Sequence, residues 1–362
     1  MKTIDVRLKE DSYPIIVGRG ILSKIGNRLK RLDLGTDAFV VTNPVIKKRH
    51  GTALARGLKK AGFGVRFISV PSGEKSKSVQ IAFDVIQKVV RLSVGKKPVI
   101  VAFGGGVVGD LAGYVAAAYK RGVPYIQVPT TLLAQIDSAI GGKVGIDLPV
   151  GKNLVGAFYQ PKIVISDVDV LATLTKRQIR NGLAEAIKYG VIDNADLFAF
   201  IEKCLEGILS LDPRALIKLI EECSRIKAKV VMKDEKETKG IRGILNFGHT
   251  VGHAIEAANH FKDYHHGEAI ALGMRVAAEI SCQKKMFKDR DARRLNALIS
   301  AAGLPSEIRK VRVTPILMAM RHDKKFQGKK NRFILAERIG RVRVVDGVEE
   351  NIIRNAVRKY IG

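Results

Sequence analysis

The feature that most constrains the fold is an apolar run that passes directly into a cluster of glycines. Residues 98–103 read PVIVAF, and GGGVVGD follows at residues 104–110. A continuous apolar run of this length is typical of a strand buried on both faces, as in parallel sheets covered by helices. The glycines and Asp110 disfavour a membrane helix across residues 98–119. The run therefore predicts a buried strand, a loop and a helix.

Short β-branched runs alternate with amphipathic stretches in the rest of the first half. Strands are predicted at residues 38–42, 65–70, 98–103 and 124–128, and helices at residues 79–92 and 110–119. Such alternation indicates an α/β domain with a mostly parallel, Rossmann-like sheet. We assign residues 1–174 to this N-terminal nucleotide-binding domain.

The second half is predicted to be mainly α-helical. Apolar residues recur at i, i+3 and i+4 in residues 176–192, 196–209, 213–232, 249–258, 268–286 and 289–302. A short strand pair is predicted at residues 332–335 and 342–345. We assign residues 175–362 to this C-terminal domain, and we expect a ligand in the cleft between the two domains.

The glycine cluster fits a nucleotide-binding loop. Gly104, Gly106 and Gly109 have the G-x-G-x-x-G spacing, which lets backbone N–H groups approach a pyrophosphate at a helix N-terminus. A tight strand–helix turn without a ligand is the alternative. The usual acidic residue about 20 positions later is missing. The loop therefore predicts a nucleotide site that differs from an ordinary Rossmann arrangement.

Histidines are concentrated in one short segment. Five of the seven lie between residues 249 and 266, and His249 and His253 are spaced to share one face of a helix. Thr250 occupies the position where a zincin metalloprotease has its glutamate base, which disfavours a protease. Two histidines and one glutamate form a common catalytic zinc set. Glu185 is a candidate for the third ligand, and a surface ion pair with Lys188 is the alternative.

Composition narrows the classes of partner. The formal net charge is +28, but Lys and Arg are spread along the whole chain, Trp is absent, and no nucleic-acid-binding motif is evident. We therefore expect a solvated basic surface and neither nucleic acid nor membrane as a partner. The charged N-terminus lacks an apolar leader, and three widely spaced cysteines form no disulfide framework, so we expect a cytoplasmic protein.

These motifs together resemble the 3-dehydroquinate synthases, a family within the sugar-phosphate cyclase superfamily. The matching segments are residues 71–74, 104–110, 129–138, 141–143, 151–158, 184–188, 245–253 and 266–268, in the order the family has them. Each segment alone is weakly specific, whereas the ordered set is highly specific and covers nearly the whole chain.

The resemblance implies roles for particular residues, with the metal and most substrate contacts in the second domain. The metal ligands would be Glu185, His249 and His266. NAD would be bound by Asn43, Glu74, Lys77, Gly105, Gly106, Val107, Asp110, Thr130, Thr131, Thr173 and Leu174. The catalytic residues would be Asp137, Lys143, Asn153, Lys188, Arg242 and His253. Further substrate contacts would come from Lys152, Lys227, Glu237, Asn246 and Lys324, and Arg121 would reach the substrate of the neighbouring subunit.

The resemblance also implies a reaction of the shikimate pathway, carried out by a homodimer with NAD and zinc or cobalt. It converts 3-deoxy-D-arabino-heptulosonate 7-phosphate to 3-dehydroquinate and phosphate. The steps are transient NAD-dependent oxidation, β-elimination of phosphate, reduction and intramolecular aldol closure. A substrate with a phosphate and a carboxylate requires a site rich in Lys and Arg.

Two places depart from the family pattern. The segment 234–242 is one residue longer than usual, which makes Glu237 the acid assigned to the substrate. His265 adjoins His266, and we assign the metal to His266 because it directly precedes Gly267 and Glu268.

Three other functions remain open from the sequence. A sister cyclase acting on sedoheptulose 7-phosphate or glucose 6-phosphate would not need Lys227 and Arg242 for a carboxylate. An alcohol or glycerol dehydrogenase would not need Lys143, Lys152 and Asn153 around a phosphate. A nucleic-acid-binding protein is supported only by the net charge.

Overall fold

The structure, a computed structural model, describes residues 1–321 and 331–362. The chain forms two compact units. The first comprises Met1–Thr175 and Pro213–Lys236, and the second comprises Lys176–Asp212 and Glu237–Gly362. The domain division at residues 174 and 175 stays a prediction, and these units differ from it by placing Pro213–Lys236 with the first half of the chain.

The strands lie mostly in the first unit. They are β1 Lys2–Val6, β2 Tyr13–Gly18, β3 Asp37–Thr42, β4 Gly64–Ser69, β5 Pro98–Gly104, β6 Tyr125–Pro129, β7 Lys143–Leu148, β8 Gly151–Phe158, β9 Ile163–Asp167, β10 Arg332–Arg338 and β11 Arg341–Asp346. The helices are α1 Gly26–Arg31, α2 Pro44–Lys60, α3 Val79–Leu92, α4 Gly106–Ala118, α5 Lys176–Ile192, α6 Ala195–Leu209, α7 Pro213–Lys233, α8 His249–Ala258, α9 His266–Gln283, α10 Asp289–Ala301, α11 Val313–Arg321 and α12 Glu350–Arg358.

A seven-stranded sheet forms the centre of the first unit. Its order is β1-β2-β9-β6-β5-β3-β4, and every pair is parallel except β1 and β2. Every residue of β3, β5, β6 and β9 is buried, as a sheet covered on both faces requires. The predicted mostly parallel α/β fold is therefore confirmed.

The chain changes direction across the sheet between β3 and β5. From β3 it runs outward to β4, and from β5 it runs the other way through β6 to β9. Ligands of open α/β sheets bind at the carboxyl ends of the strands next to such a switch point. The glycine cluster lies at this position, directly after β5.

Helix starts in the first unit follow their capping residues. The Asn43 side chain accepts a hydrogen bond from Ile46 N, and Pro44 occupies the first turn of α2. Ser78 caps α3 in the same way. Helix α7 packs against β1 and against the short π-helix Ala134–Ser138. This packing places a segment from the middle of the sequence in the first unit.

The second unit is mainly helical, and the pair β10–β11 confirms the predicted strand pair. Helices α8 and α9 lie in backbone contact, because a Cβ on Gly273 would come within 1.9 Å of Gly248 O. Helix α9 begins at His266, two residues before the predicted start. Glu268 forms a capping box with His265, which extends the helix toward the N-terminus.

Among residues 1–321 and 331–362, no helix is long and apolar enough to cross a membrane.

Candidate functional site

The residues predicted to bind a nucleotide lie at one edge of the sheet in the first unit. They follow the carboxyl ends of five neighbouring parallel strands. Asn43 follows β3, Glu74 and Lys77 follow β4, Gly105–Val107 and Asp110 follow β5, Thr130 and Thr131 follow β6, and Thr173 and Leu174 follow β9. Sequence positions more than 100 residues apart thus converge on the edge where open α/β sheets bind ligands.

The glycine loop has little room for side chains. A Cβ on Gly105 would lie 3.0 Å from Thr131 Cγ2, and one on Gly106 would lie 3.0 Å from Ser138 Oγ. Gly105 is the N-cap residue of α4, and no side chain among the described residues caps the first turn of this helix. The N–H groups of this turn are therefore available to an anionic ligand.

Lys77 connects the nucleotide loop to the hairpin β7–β8. Its Nζ lies 2.6 Å from Asp110 Oδ2 and also donates to Asn153 Oδ1. Burial raises the pKa of the Asp110 carboxyl to about 6, although the charge of Lys77 acts in the opposite direction. Next to this group, Lys152 Nζ lies 3.4 Å from Glu74 Oε1. The structure thus brings two predicted substrate residues, Lys152 and Asn153, to two predicted NAD residues, Glu74 and Lys77.

Asp137 and Lys227 meet although 90 residues separate them. Asp137 lies in the π-helix Ala134–Ser138, and Lys227 on α7 donates a hydrogen bond to its carboxylate. Lys143 opens β7 with an exposed side chain. Arg121 ends the 3₁₀ turn Tyr119–Arg121 and has a φ of 64°. These four residues all belong to the first unit.

Three helices of the second unit bring two histidines and a glutamate together. Glu185 on α5 is fully buried, and its Oε1 lies 3.6 Å from His249 Nε2 and 3.4 Å from His266 Nε2. Helix α8 begins at His249 and helix α9 begins at His266. The three donor atoms lie within 4.8 Å of one another. Their geometry is that of a side-chain cluster able to hold a metal ion.

Lys188 contacts the same carboxylate and is also buried. Its side chain is 1% exposed, so the pair with Glu185 is internal and not the surface ion pair considered from the sequence. Burial alone raises the pKa of Glu185, but the charge of Lys188 and the contact with His266 outweigh it and hold the pKa well below its usual range. Glu185 is therefore ionised and attracts cations.

Neighbouring groups orient the two imidazoles. His249 Nδ1 lies 3.2 Å from Phe247 O, and because a carbonyl only accepts, this contact requires Nδ1 as the donor and leaves Nε2 as the nitrogen that faces Glu185. His266 Nδ1 faces Glu256 Oε1 at 3.4 Å. Glu256 did not figure among the predicted residues. Its position three residues after His253 and seven after His249, on the same helical face, was the available signal.

His253 and His265 differ in their relation to this cluster. The ring centroid of His253 lies 5.2 Å from the ring centroid of His249 and 5.9 Å from that of His266. His265 is exposed and forms the N-cap of α9. The side chain that faces Glu185 is thus that of His266.

Three further predicted substrate residues of the second unit lie in the segment before α8. Arg242 and Asn246 belong to the 3₁₀ helix Ile241–Asn246, and Arg242 is 2% exposed. Glu237 has a φ of 54° in the preceding turn. Lys324 lies outside the described residues.

The donor set fits a divalent metal ion. Within the part of the chain that the structure describes, neither oxygen of the buried Glu185 accepts a hydrogen bond of good geometry, although Lys188 contacts Oε2. Lys188 neutralises the carboxylate at Oε2, whereas Oε1 faces the Nε2 atoms of His249 and His266, as the oxygen of a shared metal ligand would. Two imidazoles and one carboxylate form a three-ligand set that leaves a position open, as catalytic zinc sites require.

Sequence profiles of known families match most of the chain. The profile "3-dehydroquinate synthase N-terminal" matches residues 67–181, and "3-dehydroquinate synthase C-terminal" matches residues 182–326. A 3-dehydroquinate synthase of Pelotomaculum thermopropionicum is 44% identical over 355 residues, which are 98% of this chain and 95% of that protein.

Solved structures show the same fold. A 2-deoxy-scyllo-inosose synthase complexed with carbaglucose-6-phosphate, NAD⁺ and Co²⁺ is 26% identical, with a TM-score of 0.91 over 99% of this chain and 100% of that one. A 2-epi-5-epi-valiolone synthase from Streptomyces hygroscopicus, with NAD⁺ and Zn²⁺ bound, is 24% identical, with a TM-score of 0.88 over 98% of both chains.

The fold is that of a sugar-phosphate cyclase, as the likeness to the 2-deoxy-scyllo-inosose synthase shows. Within that class, the chain belongs to the 3-dehydroquinate synthase family.

Proposed function

We propose that this enzyme converts 3-deoxy-D-arabino-heptulosonate 7-phosphate to 3-dehydroquinate and phosphate in the shikimate pathway. The observation that carries the proposal is the cluster of Glu185, His249 and His266, in a chain that belongs to this family over nearly its whole length. Lys and Arg at the predicted substrate positions supply the charge that a phosphate and a carboxylate require.

Two bound groups complete the site. When bound, NAD would supply a reversible hydride acceptor, and a divalent metal, zinc or cobalt, would supply Lewis-acid polarisation of a substrate hydroxyl. Glu185, His249 and His266 would hold the metal. The NAD-binding residues would be Asn43, Glu74, Lys77, Gly105, Gly106, Val107, Asp110, Thr130, Thr131, Thr173 and Leu174. The two cyclase structures described above carry NAD⁺ with Co²⁺ or Zn²⁺, which supports this pairing.

The remaining side chains would bind the charged groups of the substrate and accept protons from it. Lys143, Lys152 and Asn153 would hold the phosphate, and their charge would stabilise the phosphate dianion as it leaves. Lys227 and Arg242 would bind the carboxylate. His253 would accept a proton near the reacting hydroxyl. Further substrate contacts would come from Asp137, Lys188, Glu237, Asn246 and Lys324.

The assembly and location are also proposed. We infer a homodimer in which Arg121 of one subunit reaches the substrate of the other. We also infer a cytoplasmic location, because the three cysteines, Cys204, Cys223 and Cys282, are odd in number and widely spaced in the sequence, which does not suggest a disulfide framework.

Substrate choice tests the proposed carboxylate contact. With NAD⁺ and Zn²⁺ present, we expect phosphate release from the heptulosonate phosphate and none from sedoheptulose 7-phosphate, which has no carboxylate. Arg242→Met should raise KM by about 10- to 100-fold, because a hydrogen bond between charged groups is lost. Arg242→Lys should retain part of the affinity, since lysine keeps the positive charge but cannot bind a carboxylate through two nitrogens as a guanidinium does. Preferred turnover of sedoheptulose 7-phosphate or glucose 6-phosphate would instead assign the chain to a sister cyclase activity.

A further inference from the structure

The face of α5 that carries Glu185 also holds the start of α9. Arg177, Asn181 and Glu185 are spaced four residues apart and so follow one stripe of the helix. We propose that Arg177 and Asn181 are positioning residues that fix the first turn of α9, so that His266 meets Glu185. The proposal rests on the metal site described under the proposed function.

Arg177 contacts Asp263 before His266 and Glu268 after it, through two nitrogens of its guanidinium group. Its Nε lies 2.7 Å from Glu268 Oε1, and its Nη2 lies 2.6 Å from Glu268 Oε2 and 2.7 Å from Asp263 O. Glu268 Oε2 in turn accepts a hydrogen bond of 2.8 Å from His265 N. Arg177 thus orients the carboxylate that caps the helix directly before His266.

Asn181 holds the other neighbour of His266. Its Oδ1 accepts a hydrogen bond of 2.6 Å from Gly267 N. A Cβ on Gly267 would lie 2.1 Å from Asn181 O, so the two helices meet backbone to backbone at this point. Only a glycine permits that approach.

The two contacts therefore fix residues 265 and 267 and leave residue 266 between them. Arg177 is about half exposed, so its ion pair contributes little to the stability of the fold. Its geometry is nevertheless specific, because both fork nitrogens bind one carboxylate. The expected consequence of losing it is a displaced His266 ring and not an unfolded protein.

Metal affinity and the metal spectrum test this proposal directly. In Arg177→Gln and in Asn181→Ala, we expect Zn²⁺ affinity, measured by competition with a chelator, to fall about tenfold, as when groups that orient metal ligands are removed. The visible absorption of the Co²⁺-loaded protein should change, since it reports ligand geometry. Arg177→Lys, which keeps one charged contact, should recover part of the affinity.

Arg294→Gln is the matched control. Arg294 contacts both carboxylate oxygens of Glu202 through Nε and Nη2, at 2.8 Å from Oε1 and 2.5 Å from Oε2, but it joins α10 to α6. The Arg294→Gln variant should therefore have the Zn²⁺ affinity and the Co²⁺ spectrum of the wild-type protein. The proposal is overturned if Arg177→Gln and Asn181→Ala bind Zn²⁺ as tightly as the wild-type protein, or if Arg294→Gln weakens binding equally. If Glu185→Gln also binds Zn²⁺ normally, the metal site itself is misassigned, which separates the two failures. Should Arg177→Gln not fold, Asn181→Ala still decides the question.

Discussion

Glu185→Gln is expected to weaken Zn²⁺ binding by more than about 100-fold and to reduce phosphate release by a similar factor or more, because it removes the one anionic donor of the cluster. The amide keeps the size of the side chain but loses the charge that faces His249 and His266 at 3.6 and 3.4 Å. Zn²⁺ affinity by chelator competition and phosphate release measure the two effects.

Glu185→Gln also leaves the buried Lys188 without its ion-pair partner, so a loss of stability has to be separated from the loss of Zn²⁺ affinity. Removing one member of a buried ion pair leaves an uncompensated charge and costs about 3–5 kcal/mol. Glu185→Gln combined with Lys188→Met should therefore recover much of the stability without recovering Zn²⁺ affinity. A second control compares His266→Ala, which should lose the metal, with His265→Ala, which should keep it. Wild-type affinity in Glu185→Gln would contradict the metal site.

Gly273→Ala is expected to destabilise the protein by about 3 kcal/mol, because the added methyl has no space. The new Cβ would lie 1.9 Å from Gly248 O and 2.8 Å from Gly252 N, both backbone atoms of the segment that forms α8. Neither atom moves without displacing the helix that begins with His249. The variant should therefore lose Zn²⁺ affinity as well as stability, as urea unfolding and chelator competition would measure.

Gly243→Ala is the control for a change from glycine to alanine in the same unit. No atom of the described residues lies within 4 Å of the Cβ it would add, so we expect a change in stability of less than about 0.5 kcal/mol. If Gly273→Ala were as stable as Gly243→Ala, the close approach of α8 and α9 would be wrong.

Local patterns were sufficient to predict most of the fold. The uninterrupted apolar character of residues 98–103 predicted a central strand, and β5 is buried in all its residues. Helix α5 was predicted with its observed bounds, because apolar spacing is clear over its whole length. Helix α9 was predicted two residues short, because its start depends on a cap that has no periodic signal.

Contacts between distant residues could not be predicted in the same way. Spacing shows which face of a helix a residue occupies, but not what that face packs against. For this reason the sequence did not decide whether Glu185 is a metal ligand or part of a surface ion pair. It also did not indicate that Lys227 contacts Asp137. Helix α7 was read with the second half of the chain, whereas it packs on β1 in the first unit. The roles of Arg177 and Asn181 were not predicted, because their partners lie 91 and 86 residues away, respectively.

The most direct measurement of the central claim is phosphate release from 3-deoxy-D-arabino-heptulosonate 7-phosphate while NADH absorbance is followed in the same cuvette. A cyclase returns the hydride within each turnover, so phosphate should accumulate only when NAD⁺ and Zn²⁺ are both present, with no net NADH. Accumulation of NADH in proportion to product, or phosphate release without NAD⁺, would contradict the account.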